Sequence, residues 1–181
     1  MKREYLVAGL LGAGLATAGA VFNVMSSVSI PKGAKAVKPF RKDKYIGSWY
    51  EIARLDFRFE KGLSHVTADY SIKDADTIRV DNKGYDAQKG KWKESIGKAK
   101  FVEDDNVGRL KVSFFGPFYA GYNVIAIDDQ YRYALVAGNS LKYLWILSRE
   151  KTLPDAVKND YLAKAEAIGY DTSKLIWTKQ D

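Results

Sequence analysis

The sequence predicts an all-β protein: an eight-stranded antiparallel up-and-down β-barrel with one α-helix packed outside it near the C-terminus. Three observations predict this fold. Short apolar and polar alternations separated by turn residues run from Gly47 onward, and one later segment has a helical period. The chain of 181 residues is 46% hydrophobic, which is enough for one core and gives little reason to expect a second domain.

Eight segments have the alternation and composition of β-strands. They lie near residues 48–58, 65–73, 77–85, 91–102, 108–115, 121–127, 131–137 and 142–149. The gaps between them are short and rich in Gly, Pro, Asp and Asn, so neighbouring strands should pair in sequence order. Closure into a barrel would remove the open sheet edges and leave room for side chains or one small ligand. A filled sandwich core is the alternative that the pattern leaves open.

One helix is expected after these strands. Pro154 suits its first turn and Gly169 suits its end, because these two residue types are favoured at those positions. The apolar residues between them recur at helical spacing: Ala156, Val157, Tyr161, Leu162, Ala165 and Ile168. A short final strand is expected over residues 175–178.

The first 31 residues are expected to be an export segment rather than part of the fold. Two basic residues precede an uncharged run from Tyr5 to Pro31, the order typical of a signal peptide. The run also exceeds the roughly 20 residues that cross a bilayer, so it fits a retained N-terminal membrane anchor, and its length favours that form. Residues 32–46, rich in lysine, are expected to be a basic tether, and residues 47–181 the folded domain.

Composition argues against several functions. The chain has no cysteine and one histidine, His65, so a disulfide, a thiolate nucleophile or a His/Cys metal site cannot be built. No motif for a serine nucleophile accompanies His65. The net charge of +7 comes from scattered basic residues, which does not favour a nucleic-acid partner. No catalytic residue, metal or cofactor is expected, and the chain is not expected to be an enzyme.

Three short motifs resemble the signature of the lipocalin family. The first is GSWYEIAR, with Gly47 and Trp49, at the first strand. The second is degenerate and lies before the seventh strand, where Asp129 and the tail that begins at Tyr133 match. The third is Arg149 at the end of the eighth strand. Together with SFFGPFYAGYNVIAID and YLWILSR, these motifs are most similar to bacterial outer-membrane lipocalins and the related apolipoprotein D group.

The resemblance implies roles for the motif residues. In lipocalins the motif tryptophan lies across the closed end of the barrel, and the arginine packs over its face. Carried onto this chain, the pair is Trp49 and Arg149, a cation over an indole face. Gly47, Asp129 and Tyr133 are likewise expected to be structural rather than to contact a ligand.

Candidate ligand contacts follow from strand parity and side-chain size. The inward position of Trp49 puts Glu51, Ala53 and Leu55 on the same face, unless a bulge shifts the parity. Phe57 and Phe59 lie where lipocalins have a long loop at the barrel mouth, beside Arg58 and Lys61, which could accept an anionic head group. An ordinary solvated loop fits equally. The full set of candidates is Leu55, Phe57, Phe59, Phe101, Phe114, Tyr122, Val124, Tyr143 and Trp145.

The expected function is that of a binding protein of the bacterial cell envelope, which carries or stores a fatty acid or lysophospholipid in the barrel. Two alternatives stay open: a carrier of a cyclic ligand such as a bilin or a sterol, and an enzyme acting on a membrane lipid. The expected location is the periplasm or the outer membrane, in association with a membrane surface, although no cysteine is available for the lipid anchor of related proteins. Formation of a homodimer is left open.

Overall fold

The predicted barrel is confirmed by the computed structural model, which describes residues 28–57 and 60–181. Eight antiparallel strands follow one another in sequence order. They are β1 (Gly47–Leu55), β2 (Leu63–Asp74), β3 (Thr77–Asp86), β4 (Lys91–Phe101), β5 (Arg109–Ser113), β6 (Ala120–Ile127), β7 (Tyr133–Ala137) and β8 (Leu144–Ser148).

Strand β1 closes the barrel because it pairs with both β2 and β8. Gly47 lies opposite Tyr70 of β2, and Tyr50 lies opposite Ser148 of β8. A ninth strand, β9 (Leu175–Trp177), lies outside the closed barrel and pairs with the end of β1, where Ala53 is opposite Trp177. The meander places the β1–β2, β3–β4, β5–β6 and β7–β8 loops at one end of the barrel, which we call the mouth, and the other loops at the closed end.

One α-helix precedes the eight barrel strands in the sequence, and another follows them. The one-turn helix α1 (Lys42–Tyr45) precedes β1, and α2 (Asp155–Ile168) follows β8. Pro154 caps the N-terminus of α2, and Gly169 at φ 107° ends it in the left-handed conformation, as the sequence predicts. A 3-10 helix (Thr172–Lys174) leads into β9.

Two hydrophobic cores use opposite faces of the sheet. One fills the closed end of the barrel around Trp49, Tyr122 and Val124. The other lies between the barrel wall and α2, where Leu135 and Ile146 meet Tyr161. Strand β7 is buried along its whole length because it has a core on each side, which explains why its sequence lacks a polar face.

The stretch expected to be a tether instead packs on the barrel. The backbone N–H of Val37 donates to Val124 O at 2.9 Å, and Phe40 N donates to Asn106 O at 2.6 Å. Phe40 and Tyr45 are buried in the core at the closed end. The physical reason for this correction is that these aromatic residues, spaced between exposed lysines, supply buried contacts that the lysine content concealed.

Residues 1–27, most of the expected export segment, lie outside the described residues, so cleavage or retention of that segment stays a prediction. Within residues 28–57 and 60–181, no helix has both the length and the hydropathy needed to cross a membrane.

Candidate functional site

The barrel encloses a cavity of about 250 Å³ that opens at the mouth. Its walls come from seven of the eight barrel strands and from the loops at the mouth, and are mainly apolar, with Val66, Val80 and Leu147 among the lining residues. Side chains from the mouth loops, including Phe115 and Phe118 between β5 and β6, line its upper part. The cavity therefore combines an apolar interior with an entrance at one end of the barrel.

Five of the nine candidate contact residues line this cavity. They are Phe57, Phe114, Tyr122, Tyr143 and Trp145. Phe101 and Val124 belong to the core below it, where Phe101 packs against that core at 6.1 Å between ring centroids from Phe40. Phe59 lies outside the described residues. That these residues contact a ligand stays a proposal.

Leu55 is not on the cavity wall but in the core beneath α2, together with Ala53. The expected inward parity therefore fails for the second half of β1. A bulge explains the correction, since the pairing of β1 with β8 shifts register between Glu51 and Ala53. Glu51, before the bulge, does line the cavity.

The closed end is held by Trp49 and Arg149, in the arrangement that the resemblance implies. The guanidinium carbon of Arg149 lies 3.8 Å from the Trp49 ring centroid. Arg149 also donates to Ser48 O at 2.8 Å, to Lys44 O at 2.8 Å and to Tyr45 O at 3.0 Å. Gly47 has φ 102°, and a Cβ there would be 3.2 Å from Arg149 Nη1, so both its conformation and its space favour glycine.

The second motif is held by Asp128 rather than by Asp129, which is exposed. Asp128 Oδ1 accepts hydrogen bonds from the backbone N–H groups of Arg132 at 2.6 Å and Tyr133 at 2.8 Å. These bonds hold the pKa of Asp128 below its usual value although partial burial opposes them. The structural role expected of Asp129 thus falls to its neighbour, because only Asp128 reaches the turn's free N–H groups.

Three tyrosine hydroxyl groups form a polar cluster at the floor of the cavity. Tyr122 Oη lies 2.6 Å from Tyr45 Oη and 2.8 Å from Tyr70 Oη. Burial raises the pKa of all three phenols, so they stay protonated at neutral pH. Two hydrogen bonds use two of the three hydroxyl protons, so one proton is left that could be donated to a group in the cavity.

A second polar cluster, Glu51, Arg54 and Glu60, lies towards the mouth. Arg54 Nη1 donates to Glu51 Oε1 at 2.5 Å, and Thr178 Oγ1 donates to the same oxygen at 2.5 Å. Arg54 Nη2 donates to Glu60 O at 2.7 Å. The side chains of Arg54 and Glu51 are 1% and 3% exposed, so the ion pair is held almost without water.

Glu60 lines the cavity and has an unusual ionisation. Burial, and then the charge of Glu51, raise the pKa of its carboxyl to about 8. Trp145 Nε1 donates to Glu60 Oε2 at 3.2 Å. Sequence reasoning placed Glu51 inward but gave none of these three charged residues a role. An arginine three residues after an inward glutamate was the signal that could have suggested a buried ion pair.

The acidic side chains and the histidine in the part of the chain that the structure describes do not form a metal site. No group of three or more His, Asp or Glu side chains is arranged there to hold a metal ion. The ring nitrogens of His65 lie 2.9 Å from Ser64 Oγ and 2.9 Å from Asp181 O, and the second contact joins β2 to the C-terminus.

The fold and the cavity define a barrel-type binding protein, and sequence comparison agrees. A family model described as a lipocalin-like domain matches residues 41–180. The chain is 52% identical over 165 residues to the outer membrane lipoprotein Blc of Escherichia coli (strain K12), which covers 91% of this chain and 93% of that protein. It is 31% identical to apolipoprotein D of Macaca fascicularis over 183 residues, covering 97% and 92% of the two chains.

The fold is also shared with solved structures of low sequence identity. Insecticyanin from the tobacco hornworm Manduca sexta superposes with a TM-score of 0.67 at 22% identity, covering 84% of this chain and 87% of that one. The chain belongs to the lipocalin family.

Proposed function

We propose that this protein is a lipid-binding lipocalin of the bacterial cell envelope, which binds a fatty acid or lysophospholipid in its barrel and carries or stores it. The mainly apolar cavity is the observation that supports this most strongly. Each methylene group removed from water contributes about 0.8 kcal/mol, so an acyl chain has ample driving force before the costs of ordering are subtracted.

The size of the cavity favours an acyl chain over a cyclic ligand such as a bilin or sterol. Its volume of about 250 Å³ is below the range of about 300–1,000 Å³ typical of small-molecule pockets. A single flexible chain can adapt its shape to so small a volume, whereas a rigid ring system cannot. Catalysis on the bound lipid is disfavoured, because the described residues that line the cavity show no nucleophile paired with a base and lipocalins are binding proteins.

A location at the cell envelope is supported by the similarity to an outer membrane lipoprotein. Attachment of this protein to a membrane would differ from that of a lipoprotein, since the chain has no cysteine to carry a lipid. Apolar side chains at the mouth suit contact with a membrane surface: Phe115 is 49% exposed and Leu141 43% exposed. The mouth would then take the lipid directly from that surface.

Mass spectrometry of the purified protein after incubation with a bacterial membrane extract tests the proposal. One acyl lipid per protein molecule is the expected result. A bilin or sterol in its place would support a cyclic-ligand carrier, and hydrolysed lipid would support an enzyme. Either result would overturn the proposed function.

A further inference from the structure

Three aromatic rings cluster at the cavity mouth, and one of them, Trp145, donates its Nε1–H to Glu60 Oε2 at 3.2 Å. The rings of Tyr143 and Trp145 are nearly parallel, 11° apart, with centroids 6.4 Å from each other. Phe57 stands almost perpendicular to both, at 5.7 Å from Tyr143 and 5.8 Å from Trp145. All four residues line the cavity. Faces of aromatic rings beside a carboxyl group are a typical environment for an organic cation.

When Glu60 is ionised, this cluster of two carboxyl groups and one guanidinium carries one net negative charge. Two carboxyl groups, Glu51 and Glu60, share one guanidinium, that of Arg54. The Nη1 and Nη2 groups of Arg54 donate to Glu51, Thr178 and backbone carbonyls, and its Nε lies 3.8 Å from Glu60 Oε2, where it has no hydrogen-bond partner. Glu60 Oε2 accepts its hydrogen bond from the indole of Trp145 rather than from Arg54. A cation from the ligand would complete the charge balance.

We propose that the cavity mouth binds the ammonium head group of a single-chain amphiphile, with Glu60 as its counter-ion and Phe57, Tyr143 and Trp145 as the surrounding rings. This rests on the proposed function and narrows it: an amine-bearing lysophospholipid fits the mouth better than a free fatty acid. The carboxylate of a fatty acid would lie against Glu51 and Glu60, and bringing like charges together is costly in a site with little water.

Binding of a cation requires an ionised Glu60, so affinity should depend on pH. Because burial raises the pKa of Glu60 to about 8, most of it is protonated below that pH, and cation binding must release a proton. The other charged groups nearby are Glu51, Arg54 and Asp56 on the β1 side, the exposed Lys61 next to Glu60 in the chain, and Lys83, Lys93 and Glu94 across the cavity. Lys83 is paired with Glu94 at 3.6 Å and Lys93 with Asp86 at 2.7 Å.

Three probes of equal chain length test this inference in the full-length protein: dodecyltrimethylammonium, dodecanoate and uncharged dodecanol. Calorimetric affinities would be measured below the micelle concentrations of the probes. The affinity for the ammonium probe should rise about tenfold from about pH 6.5 to about pH 8, as Glu60 ionises. Over the same pH interval, dodecanoate should bind more weakly than the ammonium probe.

Variants assign the effect to the mouth. Glu60→Gln should remove most of the rise in ammonium affinity with pH. At pH 8 it should also weaken binding of the ammonium probe at least about tenfold. Tyr143→Leu, which removes a ring but no charge, should weaken it several-fold. Glu150→Gln changes an exposed carboxyl outside the cavity and is the matched control. It should change neither the affinity for the ammonium probe nor the dependence of that affinity on pH. Circular dichroism checks that each variant is folded.

The outcomes separate the two proposals. If dodecanol binds but the ammonium probe binds no better at pH 8 than at pH 6.5, or dodecanoate is preferred, the head-group inference is overturned while the acyl site stands. An unchanged ammonium affinity in both Glu60→Gln and Tyr143→Leu would also overturn it. If no probe binds, the proposed function fails as well.

Discussion

Arg149 combines two contacts that no other side chain could make together. Its planar guanidinium lies over the indole of Trp49 and at the same time donates to carbonyl oxygens of the chain entering β1, among them Ile46 O at 3.0 Å. A lysine carries a compact charge on one ammonium group, so it cannot stack on the indole and donate to several carbonyl oxygens at the same time. The residue therefore ties the start of the barrel to its last strand.

Replacing Arg149 by lysine should reduce the free energy of unfolding by about 2–3 kcal/mol, because stacking and several charge-assisted hydrogen bonds are lost together. The control is Arg132→Lys, in which an exposed arginine pairs with Asp128 and lies 5.2 Å from the Tyr133 ring. It should cost less than about 1 kcal/mol. If urea unfolding shows equal losses of unfolding free energy for the two variants, the contacts of Arg149 do not stabilise the barrel as described.

Glu60 links stability to pH. Its pKa is about 8 in the folded chain and near the ordinary 4.5 in the unfolded chain. Between these values the folded state holds a proton that the unfolded state has released. The stabilising contribution is therefore complete below about pH 4.5 and is lost as the pH rises to about 8.

Glu60→Gln cannot ionise and should remove this pH dependence. Compared with the unmodified protein, the variant should gain about 2–4 kcal/mol of relative stability between about pH 5 and about pH 8, measured by urea unfolding. Taking the difference between the two proteins cancels the titration of other carboxyls. Parallel stability curves would show that Glu60 is not buried as described.

Helix α2 covers the outside of the barrel through few side chains. Tyr161 Oη donates to Tyr133 O at 2.9 Å, and Ala165 is fully buried against the sheet. The small side chain of Ala165 lets the helix approach closely. Ala163, two residues earlier, faces solvent.

Enlarging Ala165 to leucine should overpack this contact and cost about 1–3 kcal/mol. The same change at Ala163 adds the same side chain to the exposed face and should alter the unfolding free energy by less than about 0.5 kcal/mol. Thermal unfolding followed by circular dichroism compares them. Similar melting temperatures would mean that α2 is not packed tightly on the barrel.

Regular elements were predictable from the sequence, whereas irregular ones were not. Tyr143, just before β8, and Trp145, within it, were named from the sequence as candidate contacts, and both line the cavity. In β1 the bulge after Glu51 leaves no mark in the alternation, so Leu55 was assigned to the wrong face. The cluster of Glu51, Arg54 and Glu60 was missed because its members meet only through tertiary packing around the loop that follows β1.

The two ends of the barrel differ in a way that bears on lipid transfer. The closed end is sealed by the segment containing Phe40 and Tyr45, while the N-terminal end of the described chain lies near the mouth, where Ser29 Oγ donates to Asn139 O at 3.0 Å. The described part of the chain therefore begins on the mouth side of the barrel. This arrangement suits a mouth that faces the bilayer.

Polar substitutions at the mouth should slow uptake of lipid. The double variant Phe115→Ser and Leu141→Ser removes exposed apolar surface there, so the rate at which a fluorescent lysophospholipid passes from vesicles to the protein should fall several-fold. Ile72 is 56% exposed but lies towards the closed end. Ile72→Ser is therefore the control, and an equal loss of rate in it would contradict a membrane-facing mouth.

Filling the cavity tests most directly whether the barrel interior is the lipid site. Ala120 lines the cavity, and Ala120→Phe would occupy space needed by an acyl chain, whereas Ala163→Phe adds the same ring to the exposed face of α2. Isothermal titration calorimetry with uncharged monolauroylglycerol gives the affinity and the stoichiometry. We predict one-to-one binding by the unmodified protein and by Ala163→Phe, and at least about tenfold weaker binding by folded Ala120→Phe, a loss of about 1.4 kcal/mol. Unchanged affinity and stoichiometry in Ala120→Phe would contradict an internal lipid site.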